Sequence, residues 1–129
     1  MIDFDYFKAI NDTYGHAVGD NVLVQFSRET EAMIRQEDLF GRYGGEEFII
    51  FSPNTSMEEA LVLGQRIREA IALNSGRSSA IPKHTVSIGT ATMIPGAYAD
   101  LDCLIKRADQ ALFQEKRNGR DQIVQADVE

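Results

Sequence analysis

Two β-prone runs, Leu39 to Tyr43 and Phe48 to Ser52, flank the pair Gly44-Gly45, and this pattern constrains the fold more than any other feature. Glycines between such runs predict a tight hairpin, because glycine reaches the positive φ angles that short turns demand. The turn would deliver Glu46 and Glu47 to the rim of a sheet, where paired carboxylates suit a metal ion. Taken alone, Gly44 to Phe48 fits a solvated turn with two surface glutamates better than a site.

A second acidic cluster shifts that balance. Asp3-Phe4-Asp5-Tyr6-Phe7-Lys8 opens the chain, followed by Asn11-Asp12, Gly15-His16 and Gly19-Asp20. If Met1 to Phe4 is a strand beside the hairpin, Asp3 and Glu46 converge on one hard cation. Mg²⁺ takes one or two carboxylates and fills its sphere with phosphate oxygens and water. A divalent cation at paired acids points to phosphoryl chemistry.

The 129 residues, 43% hydrophobic and 26% charged, suffice for one soluble domain with a packed core. A net charge of −7 argues against a nucleic-acid surface, whose affinity comes from phosphate neutralisation. An anionic substrate would need a metal and a few local cations. The single cysteine, Cys103, excludes an internal disulfide and reads as a buried, inert thiol among helical apolar residues. No run reaches membrane-spanning length and no basic-then-apolar leader is visible, so a cytoplasmic domain, or the cytoplasmic piece of a larger sensor protein, is expected.

Periodicity sets out the elements. Residues 1 to 4 read as a strand and Phe7 to Tyr14 as a short helix or turn. Asp20 is a plausible N-cap for a helix to about Gln36, with Val22, Leu23, Phe26, Thr30, Met33 and Ile34 on one face. Ser56 with Glu59 forms a capping box ahead of Ala60, Leu63, Ile67, Ala70 and Ile71, predicting a helix to about Leu73. Asn74 to Pro82 is a loop, and Thr85 to Met93 a strand closed by Pro95-Gly96. Asp100 or Asp102 caps a third long helix to about Arg117, ended by Asn118-Gly119, and Gln122 to Gln125 is a last strand. The order suits an α+β fold, a ferredoxin-like antiparallel sheet flanked by helices.

Asp3-Phe4-Asp5-Tyr6-Phe7-Lys8, Asn11-Asp12, Gly15-His16, Gly19-Asp20, Arg42 to Phe48, Val86-Ser87-Ile88-Gly89, and Ala108-Asp109 through Arg120 together resemble the GGDEF family of diguanylate cyclases, in its GGEEF form. The resemblance spans nearly the whole chain, and several separated motifs in order make it specific. It implies a palm-type, nucleotide-cyclase-like fold over residues 1–129, lacking the family's N-terminal helix. It further implies an enzyme that condenses two GTP molecules into cyclic di-GMP with release of two pyrophosphates, using Mg²⁺ or Mn²⁺. Each domain would hold one GTP, so catalysis requires a homodimer; neither nucleic acid nor membrane contact is expected of the domain. The alternative is a module that binds GTP or cyclic di-GMP without turnover.

By the family pattern, Asp3, the carbonyl of Phe4 and Glu46 match metal ligands; Glu46 also matches the base, with Glu47 a second contributor. Asn11 and Asp20 match guanine-reading positions, and His16 a substrate contact. A carboxylate accepts from the N1 and N2 hydrogens of guanine, and adenine would leave it unsatisfied at about 1–3 kcal/mol. Local roles compete: a turn for Asn11, a helix cap for Asp20, a packed imidazole for His16. Lys8, Lys116 and Arg120 match triphosphate contacts, although cations at a helix C-terminus also favour its dipole. Arg35 to Asp38, ending five residues before Gly44, matches an inhibitory Arg-x-x-Asp site for cyclic di-GMP, with Arg66 as its secondary contact. Phe113, Glu115 and Asp121 depart from the residues usual in the family, and the last two add negative charge beside the phosphate contacts.

Overall fold

A computed structural model describes residues 1–94 and 100–126, leaving the Pro95-Gly96 break outside, and the side chain of Glu115 is likewise outside the description. Strands β1 (Ile2–Phe4), β2 (Leu39–Arg42), β3 (Glu47–Phe51), β4 (Val86–Thr90) and β5 (Ile123–Gln125) form one sheet in the order β2-β3-β1-β4-β5. Every pairing is antiparallel except β4 with β5, which run parallel, as a strand–helix–strand connection through α4 (Leu101–Arg117) requires. The other helices are α1 (Phe7–Tyr14), α2 (His16–Met33) and α3 (Met57–Asn74).

Side chains alternate across a strand, and this divides the sheet chemically. Ile2, Phe4, Phe48, Val86 and Ile88 join Phe7, Ile10, Val22, Phe26, Ile67 and Ile71 in one core under α1, α2 and α3. Phe4 sits at its centre, with the rings of Phe7, Phe26 and Phe48 at 5.8, 5.0 and 6.1 Å. The intervening residues Asp3, Ser87 and Gly89 face the other way, towards α4. A Cβ on Gly89 would lie 2.3 Å from the Ala108 carbonyl oxygen and 2.5 Å from the Leu112 nitrogen, so only glycine lets α4 lie this close to β4.

The capping box at the start of α3 is present in both directions, Ser56 Oγ accepting from Glu59 N at 3.1 Å and Glu59 Oε1 from Ser56 N at 3.2 Å. At the start of α4, Asp100 is the cap: its Oδ1 accepts from Asp102 N at 3.0 Å.

Three expectations are corrected. Helix α2 begins at His16, with Gly15 (φ 92°) at its N-cap, so Asp20 lies inside the helix rather than at its end. The Gly15 bend lets two helices follow one another without a longer loop, which periodicity alone does not reveal. Gly44 and Gly45 are not among the positive-φ residues. The hairpin closes instead with Tyr43 N and Gly44 N both donating to Glu47 O, at 2.8 and 3.2 Å, while Arg42 holds the carbonyls of Gly44 and Gly45. A Cβ on Gly44 would meet Glu47 Oε1 at 3.1 Å, a close approach that a small movement of the glutamate tip relieves. Cys103 is exposed, because it lies on the outward side of the first turn of α4.

Candidate functional site

β1, the central strand, sets Asp3 opposite Glu47 on one side and Ser87 on the other. Phe4 N donates to the carbonyl of Glu46 at 3.4 Å, which holds the glutamate pair beside the end of β1. Lys116, from the last turn of α4, reaches into this site. Its Nζ lies 3.1 Å from Asp3 Oδ2 and 3.6 Å from Asp5 Oδ1, and donates to Phe4 O at 3.3 Å. Asp3 Oδ1 is buried without a partner among the described residues. Burial pushes the Asp3 carboxyl above the ordinary aspartate range, against the pull of Lys116. Glu47 is pushed up as well, by burial and then by the negative charges of Asp3, Asp109 and Glu46.

Asp5, two residues along the chain, has a different task. Its Oδ2 accepts from Thr85 Oγ1 at 2.6 Å and from Asp121 N at 3.0 Å, and its Oδ1 accepts from Ser87 Oγ at 2.6 Å. A buried carboxylate with this many donors is a fixed anchor. It ties β1 to β4 and to the turn after α4, where Gly119, Arg120 and Asp121 all have positive φ, at 116°, 67° and 51°. Arg68 holds the same turn from α3 through an ion pair to Asp121 at 3.0 Å. Two non-glycine residues in this strained region persist only under such restraint. The effect is to aim Arg120 across the site, with its guanidinium 4.6 Å above the Tyr6 ring. Asp5, Arg68 and Tyr6 were not singled out from the sequence, since each depends on a partner between 53 and 116 residues away.

Lys8, Asn11, His16 and Asp20 lie on α1 and α2, which leave the end of β1 directly. His16 is exposed, which removes its reading as a packed imidazole. Among the described residues, the side chains of Lys8, His16 and Asp20 make no hydrogen bond or ion pair, leaving them available to a ligand. The helices cross so closely that a Cβ on Gly19 would sit 1.9 Å from Asn11 Oδ1, so the missing side chain of Gly19 makes the seat of Asn11.

Arg35 and Asp38 lie elsewhere, at the corner between α2 and β2. Asp38 is buried, and its oxygens accept from Arg35 N at 2.8 Å and Arg35 Nη2 at 3.3 Å. Arg35 also donates to Pro53 O at 2.9 Å and to Thr55 Oγ1, while keeping 42% of its side chain exposed. Arg66 is exposed on α3.

The acidic site fits a hard divalent cation in donor type. Asp3 supplies an orphaned buried oxygen, Phe4 a carbonyl, and an ammonium already rests on both residues. Among the described residues no group of three or more His, Cys, Asp or Glu side chains is gathered, so any cation here must complete its sphere from a ligand or water. A groove of about 720 Å³ is lined by apolar side chains such as Ile49, Leu63, Leu104 and Ile105 and contains none of these site residues, so it is not where a triphosphate would bind.

Asp3 and Glu47 stand on two adjacent strands with Lys116 against Asp3, on a five-stranded sheet packed with helices. A family profile described as diguanylate cyclase, GGDEF domain, matches residues 1–122. The chain is 43% identical over 126 residues to diguanylate cyclase DgcM of Escherichia coli (strain K12), covering 98% of this chain and 30% of that protein. Its fold matches the GGEEF domain of a diguanylate cyclase from Vibrio cholerae with a TM-score of 0.88 at 36% identity, over 98% of this chain and 80% of that one. It also matches the GGDEF domain of DgcB from Caulobacter crescentus, solved in complex with c-di-GMP, with a TM-score of 0.86 at 31% identity, over 96% of this chain and 74% of that one. The chain belongs to the GGDEF-domain family, and it spans about 30% of the length of the Escherichia coli relative.

Proposed function

We propose that this domain is a diguanylate cyclase, joining two GTP molecules into cyclic di-GMP with loss of two pyrophosphates. The observation that carries the reading is the meeting of Asp3, the Phe4 carbonyl and Lys116, with Glu47 in register beside Asp3 and the Glu46 carbonyl bonded to Phe4 N, in a chain of this family. Asp3, Phe4 O and Glu46 would hold Mg²⁺ or Mn²⁺, which when bound polarises phosphate oxygens and lowers the pKa of a coordinated hydroxyl. Lys8, Lys116 and Arg120 balance the triphosphate charge, and the Tyr6 ring beneath Arg120 keeps its guanidinium oriented. Asn11 and Asp20 read guanine, and His16 contacts the same ligand.

The ribose 3′ hydroxyl of one nucleotide attacks the α-phosphorus of the other, and pyrophosphate leaves. Glu46 accepts the hydroxyl proton, with Glu47 as second contributor. One site holds one GTP, so two domains must face each other, and the protein contribution is mainly positioning and field.

Cyclic di-GMP is the inhibitor in this proposal, captured at the corner between α2 and β2. The neighbour solved with c-di-GMP supports binding of that nucleotide by this fold. Arg35 and Arg66 would meet the ligand, with Asp38 fixing Arg35, because its own carboxylate is already engaged. The test is Mg²⁺-dependent turnover of GTP. Glu46→Ala should lose at least about a hundredfold in kcat while remaining folded, and Arg35→Ala should keep turnover but escape inhibition by added cyclic di-GMP. Normal turnover by Glu46→Ala removes the assigned base, and inhibition undiminished in Arg35→Ala removes the inhibitory site.

A further inference from the structure

The Lys116 ammonium lies where a cation would lie. It touches Asp3 Oδ2 at 3.1 Å and the Phe4 carbonyl at 3.3 Å, the two groups from β1 assigned above to the metal. A second carboxylate, Asp5 Oδ1, stands 3.6 Å away. The site is restricted: Lys116 keeps only 22% of its side chain exposed and Asp3 only 16%. An ammonium and a divalent ion cannot share a seat of this size. Lysine can leave it, because its charge sits on a flexible four-carbon stem at the last turn of a helix.

We propose that Lys116 and the divalent cation are alternative occupants of the Asp3–Phe4 seat, with the lysine serving as the resident counter-ion of the metal-free domain. The lysine holds the Asp3 carboxylate and the Phe4 carbonyl in place while no metal is bound, supplying the partner that a carboxylate at this depth needs. On metal entry the ammonium is displaced from the strand and becomes free to meet phosphate oxygens arriving with the nucleotide. Lys116 is thus a positioning residue for the metal before it is a ligand for the substrate, and metal affinity in the absence of nucleotide is set partly by competition with it. Arg120 does not share this task, since its guanidinium is engaged over Tyr6 and with the Lys116 carbonyl.

The inference rests on the reading that Asp3 ligates the metal, and the two can fail separately. Mn²⁺ binding to the nucleotide-free chain, followed by electron paramagnetic resonance, is the measurement. Lys116→Gln and Lys116→Met should each bind Mn²⁺ at least fivefold more tightly than wild type. Arg120→Gln, which removes the same charge from the same end of the molecule, should change affinity by less than twofold. Unchanged or weakened Mn²⁺ binding in both Lys116 variants overturns the proposal, as does an Arg120→Gln variant that tightens binding equally. If Asp3→Asn binds Mn²⁺ as wild type does, the metal assignment itself falls, and the inference with it.

Discussion

Gly19 matters through the atom it lacks. Its position in Gly19-Asp20 is legible in the sequence, but the reason is not, because the neighbour that forbids a side chain is Asn11 on another helix. An alanine Cβ would stand 1.9 Å from Asn11 Oδ1, and the amide must move. Asn11 ends in a short side chain that can rotate away, so Gly19→Ala is expected to fold and, on the proposed reading of guanine by Asn11, to lose that hydrogen bond. A lost bond of about 1.4 kcal/mol corresponds to a roughly tenfold rise in KM for GTP. Steady-state kinetics beside a thermal melt check this, and an unchanged KM would show that Asn11 does not read the base. Asp3 and Asp5 make the same point in another way. The sequence displays both as like acids in one opening motif, whereas one oxygen of Asp3 is left unpartnered among the described residues and Asp5 accepts from Thr85, Ser87 and the Asp121 backbone.

At the scale of elements, the β-prone runs, the amphipathic helices and the Ser56–Glu59 capping box are all legible, since each is a local property of spacing and propensity. Two element boundaries are not. The α1–α2 junction depends on a single glycine bend at Gly15, and the β2–β3 turn closes through backbone donors and Arg42 without positive φ at its glycines. The contact of α4 with β4 positions both Lys116 and Arg120, and Gly89 permits it. Because the colliding atoms there are backbone atoms of Ala108 and Leu112, no side-chain rotation relieves the clash. Gly89→Ala is therefore expected to destabilise the domain by about 3 kcal/mol, seen as a lower midpoint in urea. A loss below about 0.5 kcal/mol would mean that α4 shifts at little cost.

The molecule as a whole carries a net charge of −7 and concentrates part of it at one site, where burial and mutual repulsion act on Asp3 and Glu47. Its stability should also respond to His84, whose ring is half-buried 5.6 Å from Phe4 and bonded through Nδ1 to the Pro82 carbonyl at 2.8 Å. Burial holds the His84 pKa below its ordinary value of 6.5. The unfolded chain therefore takes up a proton before the folded one does, and stability falls as pH drops through the unfolded value towards the folded one. The Tm of wild type relative to His84→Gln should be higher at pH 8 than at pH 5.5, and a constant difference would show that this imidazole titrates alike in both states. Sequence by itself determined the hairpin, the acidic opening strand, the helices and the family, because these rest on residue order and short-range spacing. Tertiary structure alone decided that Lys116 would meet Asp3 and the Phe4 carbonyl, that Arg120 would lie over Tyr6, and that Arg35 would reach Pro53 and Thr55. Contacts between residues as far apart as Tyr6 and Arg120 follow from how the helices pack on the sheet, and nothing in the local order of the chain encodes them.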